Sequence, residues 1–336
     1  MTRWIPAALV VAVTLALPPL LSSSQLSVYI LLGLAAIVVI GLSLLMGYAG
    51  QVSLGQASFY AIGGYTAGLL TVHSAPPLVG LLAAPVVAAA FAVVVGIPLL
   101  RLRGHHLAFA TLAMQLILLS LAGQADWAGG AIGLQGIPRL SVAGYEFADD
   151  LAYAYLIWGA VALTMLVSRN VVASRPGRAL RALATSETAA AASGVPVGRY
   201  RLTVFALSAA FAGLAGGIYA FYLGYLAPGS FPVLLSIEYV VMAVVGGLGT
   251  LWGALVGATA VVLLVQVLTT LGTQPGMPSY APSVLSYAVY ALLLVLVVLF
   301  LPHGIVPALR TRLTHTRLFP MISARSRRGG RLLREG

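Results

Sequence analysis

Apolar residues run along this chain in long blocks, without the alternation of a half-exposed strand or the single stripe of a surface helix. A helix needs about 20 apolar residues to cross the roughly 30 Å hydrocarbon core of a bilayer. Ten blocks come near that length, at 5–21, 27–46, 57–73, 78–100, 106–122, 151–168, 202–222, 234–249, 251–271 and 284–301. The pattern predicts an all-α polytopic membrane protein of about ten transmembrane helices. The first block also has the length of a signal peptide, although Leu15 to Ser24 offers no convincing small-x-small cleavage site.

Two places break the apolar pattern at membrane depth. The first is GYAGQVSLGQASFYAIGGYTAGLL, Gly47 to Leu70. Gly47, Gly50 and Gly55 permit backbone angles closed to other residues, while Gln51, Ser53, Gln56 and Ser58 supply neutral hydrogen-bonding groups. Non-helical backbone inside a bilayer persists only where protein or a water-filled cavity satisfies it, so the stretch is expected to face a bundle interior or a passage. The second is GGLGTLWG, Gly246 to Gly253, after an eighth run of only about 14 apolar residues. Short, glycine-interrupted runs in both halves of a transporter point to the substrate path. Tyr48, Gly50, Gln51, Ser53, Gly55 and Gln56, with Gly246, Gly247 and Gly249, are therefore the candidate path residues. The same glycines could serve only close helix packing. An inverted repeat would pair the first break with YLAPGSFP, Tyr225 to Pro232, so the spacing does not establish one.

Composition agrees with the membrane reading: of 336 residues, 60% are hydrophobic and 7% charged. There is no cysteine, which removes disulfides, thiolate metal sites and cysteine nucleophiles. All 18 basic residues are arginine, so the chain has neither the lysine of a phosphate-binding Walker loop nor an amine for Schiff-base chemistry. ATP, if it drives anything here, binds another subunit.

A net charge of +11 is compatible with nucleic acid, but the arginines lie between and after apolar runs instead of forming a soluble basic face. They fit the positive-inside rule. With the N-terminus inside, 17 of the 18 arginines fall on one side and only Arg139 on the other, which makes both termini cytoplasmic.

Three hydrophilic segments interrupt the lipid-facing pattern. The external loop 123–150 holds GGAIGLQGIP, a turn-rich segment. The tail 303–336 is strongly basic and is expected to lie on anionic lipid or to move freely, which leaves residues 1–302 as the transmembrane domain. The cytoplasmic loop 169–201 reads as two short helices, started by Ser174 before Pro176 and by Ser186 before Glu187, and stopped by Gly194 and Pro196. Leu180 and Leu183 share one face, Arg178 and Arg181 another. From these residues alone, a partner-docking loop and a solvated connector stand level.

Other chemistries find little support. The five histidines lie in or beside loops, and the adjacent pair His105 and His106 lacks the four-residue spacing of a helical metal site. Tyrosines such as Tyr48 and Tyr65 fit packing or an interfacial belt more readily than ligand binding. Glu238, at the outer end of the eighth run, reads as an interfacial carboxylate. No ionisable residue sits near a bilayer midplane, so the proton or ion relay of a secondary transporter is missing, although a secondary transporter or channel for a small polar solute remains the alternative.

Six pieces, in order, resemble the LivM-like permeases of branched-chain amino acid ABC importers: GYAGQVSLGQASFYAIGGYTA, RLRGHHLAFATLA, GLQGIP, RPGRALRALATSETAAAASGV, FALSAAFAGLAGGIYA and MAVVGGLGTLWGALVGA. The resemblance implies a non-enzymatic permease subunit of the bacterial inner membrane, paired with a second related permease. Two cytoplasmic ATPases, which carry the ATP and Mg, and a periplasmic or lipid-anchored binding protein would complete the importer; this chain itself would bind no cofactor. It also favours the docking reading of the cytoplasmic loop, with Arg175, Gly177, Arg178, Leu180, Arg181, Leu183, Glu187 and Gly194 as its docking residues. Gln56 departs from the histidine usual after SLG, and ATSE at Ala184 to Glu187 replaces a more charged stretch. Branched-chain amino acids are the favoured solutes, with urea, short amides and other amino acids as alternatives.

Overall fold

The computed structural model describes residues 14, 16–102, 104–142, 144–272, 288, 292 and 304–307. Nearly all of the expected tenth span and of the basic tail lies outside the described residues, as does most of the first span. The eight blocks between them form helices: α1 (Ser23–Ala49), α2 (Gln56–Val72), α3 (Pro77–Leu99), α4 (His105–Gln124), α5 (Asp150–Ala173), α8 (Val197–Leu223), α9 (Val233–Gly246) and α10 (Leu251–Gly272). Between α5 and α8 the chain forms the two expected short helices, α6 (Arg175–Thr185) and α7 (Glu187–Ala192).

Among the described residues, seven helices are long and apolar enough to cross a membrane, making this an all-α multi-pass protein. The exception among the eight is α2. Its 17 residues span about 26 Å at 1.5 Å per residue, so the non-helical residues before it supply the remaining depth.

The bundle is built around α1, which contacts α8, α5, α10, α9 and α6. Its sequence is apolar on all sides, as burial on all sides requires, and Leu32 to Leu45 are almost wholly enclosed. The outer helices instead direct Val86, Val94, Phe109, Ile117, Leu163 and Leu263 outward, which is the surface a lipid environment accepts without cost.

Where helices cross closely, small residues make it possible. Any Cβ on Gly63 would collide with the Gly213 backbone, and one on Gly216 with Tyr60 O. Ala84 and Ala88 of α3 close on the same stretch of α8, so α2, α3 and α8 meet almost backbone to backbone. In lipid, close packing of this kind replaces the hydrophobic drive that water would supply.

The 123–150 segment is compact, as its glycines predict. It contains a hairpin pairing Ser141–Val142 with Tyr145–Glu146, and Leu134 bridges to Leu226 in the segment between α8 and α9. Tyr153 fastens it further, accepting from Leu140 N at 3.2 Å and donating to Phe221 O at 2.9 Å.

Candidate functional site

The first break begins where α1 stops. Gly50 has φ +64° and ψ 25°, and the N–H of Gln51 reaches back to Leu45 O at 3.1 Å, closing the helix with a left-handed cap. The expectation that all three glycines are needed for backbone angle is corrected here. Gly47 is still helical and Gly55 has φ −113°, so only Gly50 uses the left-handed region. The other two are needed for space. A Cβ on Gly55 would lie 2.7 Å from Thr111 O, and one on Gly47 would overlap the backbone of Gly249.

The last turn of α1, just before the first break, therefore touches the second break, with Gly47 against Gly249. In the second, α9 ends at Gly246, Gly247 and Gly249 take φ +110° and +76°, and α10 starts at Leu251. Gly246 also packs on Gly253 and Gly257, which lets α9 and α10 fold against each other as a tight hairpin.

Side chains from two other helices satisfy the backbone of the first break. Leu54 N donates to Thr111 Oγ1 at 2.9 Å, and Ala57 N, at the start of α2, donates to Ser236 Oγ at 2.9 Å. Ser236 Oγ in turn donates to Gln115 Oε1 at 2.7 Å, while Gln115 Nε2 donates to Phe231 O and Pro232 O at 3.4 and 3.3 Å. This is a long-range helix cap, in which a serine from α9 does the work that a local N-cap residue normally does. Thr111, Gln115 and Ser236 are fully buried, and the sequence reading missed all three. The available signal was a lone polar residue inside an apolar run.

The candidate path residues divide by exposure. Gly50 is exposed and Tyr48 half-buried, whereas Gln51, Ser53, Gly55 and Gln56 are buried. Gln51 Oε1 and both polar atoms of the Gln56 carboxamide have no hydrogen-bond partner among the described residues. In the second break Gly246 and Gly247 are buried and Gly249 half-buried.

The connector between α5 and α8 forms the second candidate surface. Gly177, Leu180 and Leu183 are the buried face of α6, which rests on α1 and α5. A Cβ on Gly177 would meet the carbonyls of Val171 and Val172, so glycine sets how closely α6 turns back on α5.

Arg175, Arg178 and Gly194 are exposed. Arg181 is exposed too, but its Nη1 donates to Val172 O at 3.0 Å, so it caps the end of α5 instead of projecting freely beside Arg178. Glu187 opens α7, where Ser186 Oγ accepts from Ala189 N, and its carboxylate takes a two-pronged contact from Arg201 at 3.0 and 3.1 Å.

The family model described as "Branched-chain amino acid transport system / permease component" matches residues 24–298. The "High-affinity branched-chain amino acid transport system permease protein LivM" of Escherichia coli (strain K12) is 30% identical over 318 residues, covering 85% of this chain and 69% of that protein. The protein of the same name from Salmonella typhimurium matches to the same extent, 30% over 318 residues. The "Probable branched-chain amino acid transport permease protein LivM" of Methanocaldococcus jannaschii is 24% identical over 315 residues, covering 82% of this chain and 91% of that protein. No solved structure matches the chain. With an apolar helical bundle interrupted by two glycine-rich breaks, and a family match that runs from α1 past the end of α10, the chain belongs to the permease components of branched-chain amino acid transport systems.

Proposed function

We propose that this permease forms, with a second related permease, the membrane path by which branched-chain amino acids enter the cell. Two cytoplasmic ATPase subunits would drive it, and a periplasmic or lipid-anchored binding protein would deliver the solute. The observation that carries the path assignment is the non-helical backbone at 50–55, held by Thr111 and Ser236 from other helices, with Gly47 just before it packed on the second break. Backbone left open at membrane depth needs such support, and buried carboxamides beside it give a polar solute neutral groups to exchange with.

In this reading residues 1–302 form the transmembrane domain, with ten spans and both termini cytoplasmic, and 303–336 form a basic tail against anionic lipid. The connector helix α6 faces the ATPase through Arg175 and Arg178. The test is ATP-dependent uptake of labelled leucine into liposomes holding the assembled complex and its binding protein. Uptake that requires all subunits and is lost in Gly55→Val is expected. Uptake by this chain alone, driven by an ion gradient, would replace the reading with a secondary transporter.

A further inference from the structure

A cavity of about 280 Å³ lies where the first turns of α1 and α9 meet α10, and its lining has a composition that the path assignment does not use. One wall is aliphatic, formed by Leu31 and Leu34 of α1 with Val262 and Val265 of α10. Glu238 of α9 lines the same space, together with Tyr60, Tyr219 and Tyr239. The three phenol rings form one cluster, with Tyr60 centred 5.4 Å from Tyr219 and 6.4 Å from Tyr239.

Glu238 is half-buried and has no hydrogen bond or ion pair among the described residues. A carboxylate within a membrane-spanning helix is costly and is retained chiefly where something pairs with it. Carboxylate, tyrosine faces and an aliphatic wall together define a class of ligand. Aromatic faces and an anion both attract an organic ammonium ion, and the wall accepts a compact apolar body attached to it. The cavity opens at its edge, where Leu31 and Gln266 are exposed, so such a ligand has an entry.

We infer that this cavity is an organic-ammonium site, in which the Glu238 carboxylate holds a primary ammonium group and the α1–α10 wall holds a short aliphatic chain. Two sources carry that chemistry: a free amino acid or amine, and the headgroup of an aminolipid. This goes beyond the path proposed at 47–58. It is tested by binding instead of uptake, so its failure is distinct from a failure of that path.

The experiment places the assembled transporter, without nucleotide or binding protein, in lipid discs made only of phosphatidylglycerol. Binding of isoamylamine, leucine and 4-methyl-2-oxopentanoate is then measured. The three share an aliphatic chain, and only the last lacks the ammonium. Leucine and isoamylamine should bind and the keto acid should not. Glu238→Gln should weaken isoamylamine by about tenfold or more, the loss expected for a charge-assisted contact. Val265→Trp, which fills the space and leaves the carboxylate, should weaken it as well.

Discs that also contain phosphatidylethanolamine separate the sources. Weaker isoamylamine binding as that lipid is added identifies the aminolipid as an occupant of the ammonium site, and unchanged binding identifies the free solute. Failure of isoamylamine to bind in either lipid, or equal binding to wild type and Glu238→Gln in a protein of unchanged melting temperature, overturns the proposal.

Discussion

Ser236 donates its hydroxyl proton to Gln115 Oε1 at 2.7 Å and with the same oxygen accepts from Ala57 N at 2.9 Å. One buried hydroxyl thus joins α9, α4 and the start of α2. Removing it leaves both a backbone donor and a carboxamide oxygen without their partner, each costing about 1–3 kcal/mol. Ser236→Ala is expected to lower the thermal stability of the purified permease and to reduce leucine uptake. Gln115→Leu should do the same, and the double variant should lose less than the two losses added, because both act on one network. Additive losses in thermal unfolding would show that the three groups act independently.

The glycines at the first break are expected to fail for different reasons. At Gly50, φ is +64° and a Cβ would have open space around it, so the penalty is backbone strain of about 1–2 kcal/mol. Asparagine, which tolerates that region, should be milder there than valine. At Gly55 the obstacle is Thr111 O, so asparagine and valine should both abolish uptake while the protein still inserts. Equal tolerance of valine and asparagine at Gly50 would remove the conformational argument.

Gly47→Ala tests the contact between the last turn of α1 and the second break. Its methyl group would collide with the Gly249 backbone, and overpacking of this kind costs about 1–3 kcal/mol. Gly159→Ala, in α5 with nothing within 4 Å of the added carbon, is the matched control and should gain about 0.5–1 kcal/mol in helix propensity. Thermal melting of the two variants should therefore move in opposite directions, with uptake impaired only in the first.

For the connector, Arg178→Glu is the informative change because Arg178 is exposed, whereas Arg181 also caps α5 through Val172 O. A desolvated arginine contact with an ATPase carboxylate is worth about 2–5 kcal/mol when truncated. Arg178→Glu should then reduce ATPase co-purification and the ATP hydrolysis stimulated by loaded binding protein, leaving ligand affinity of the separate binding protein untouched. Adding Arg181→Glu should deepen the loss and also lower the melting temperature. Normal subunit recovery and full stimulation in the single variant would move the docking surface elsewhere on the connector.

Much of this architecture was legible because membrane burial writes itself into composition. The eight described blocks, the presence of a break after the second of the ten, and the start of α7 at Glu187 after Ser186 all follow from residue type and local spacing. What was illegible depends on partners far away in the chain. Ser236 meets Ala57 across 179 residues, and Gln115 meets Ser236 across 121, distances at which periodicity carries no information. The glycine roles were misassigned for a similar reason: whether a glycine serves angle or space depends on what stands opposite, and nothing near Gly47 in sequence announces Gly249. Arg181 likewise looked equivalent to Arg178 until the end of α5 came within its reach.

The contact between Glu187 and Arg201 gives the connector a mechanical character. Arg201 stands in the second turn of α8, so this clamp fastens the short α7 to the base of a long buried helix, while Leu180 and Leu183 seat α6 on α1 and α5. A displacement imposed on residues 175–192 has little slack in which to dissipate. It is delivered, as through a strut, to α1 and α8, the two most enclosed of the seven long apolar helices, and α1 leads directly into the break at 50–55.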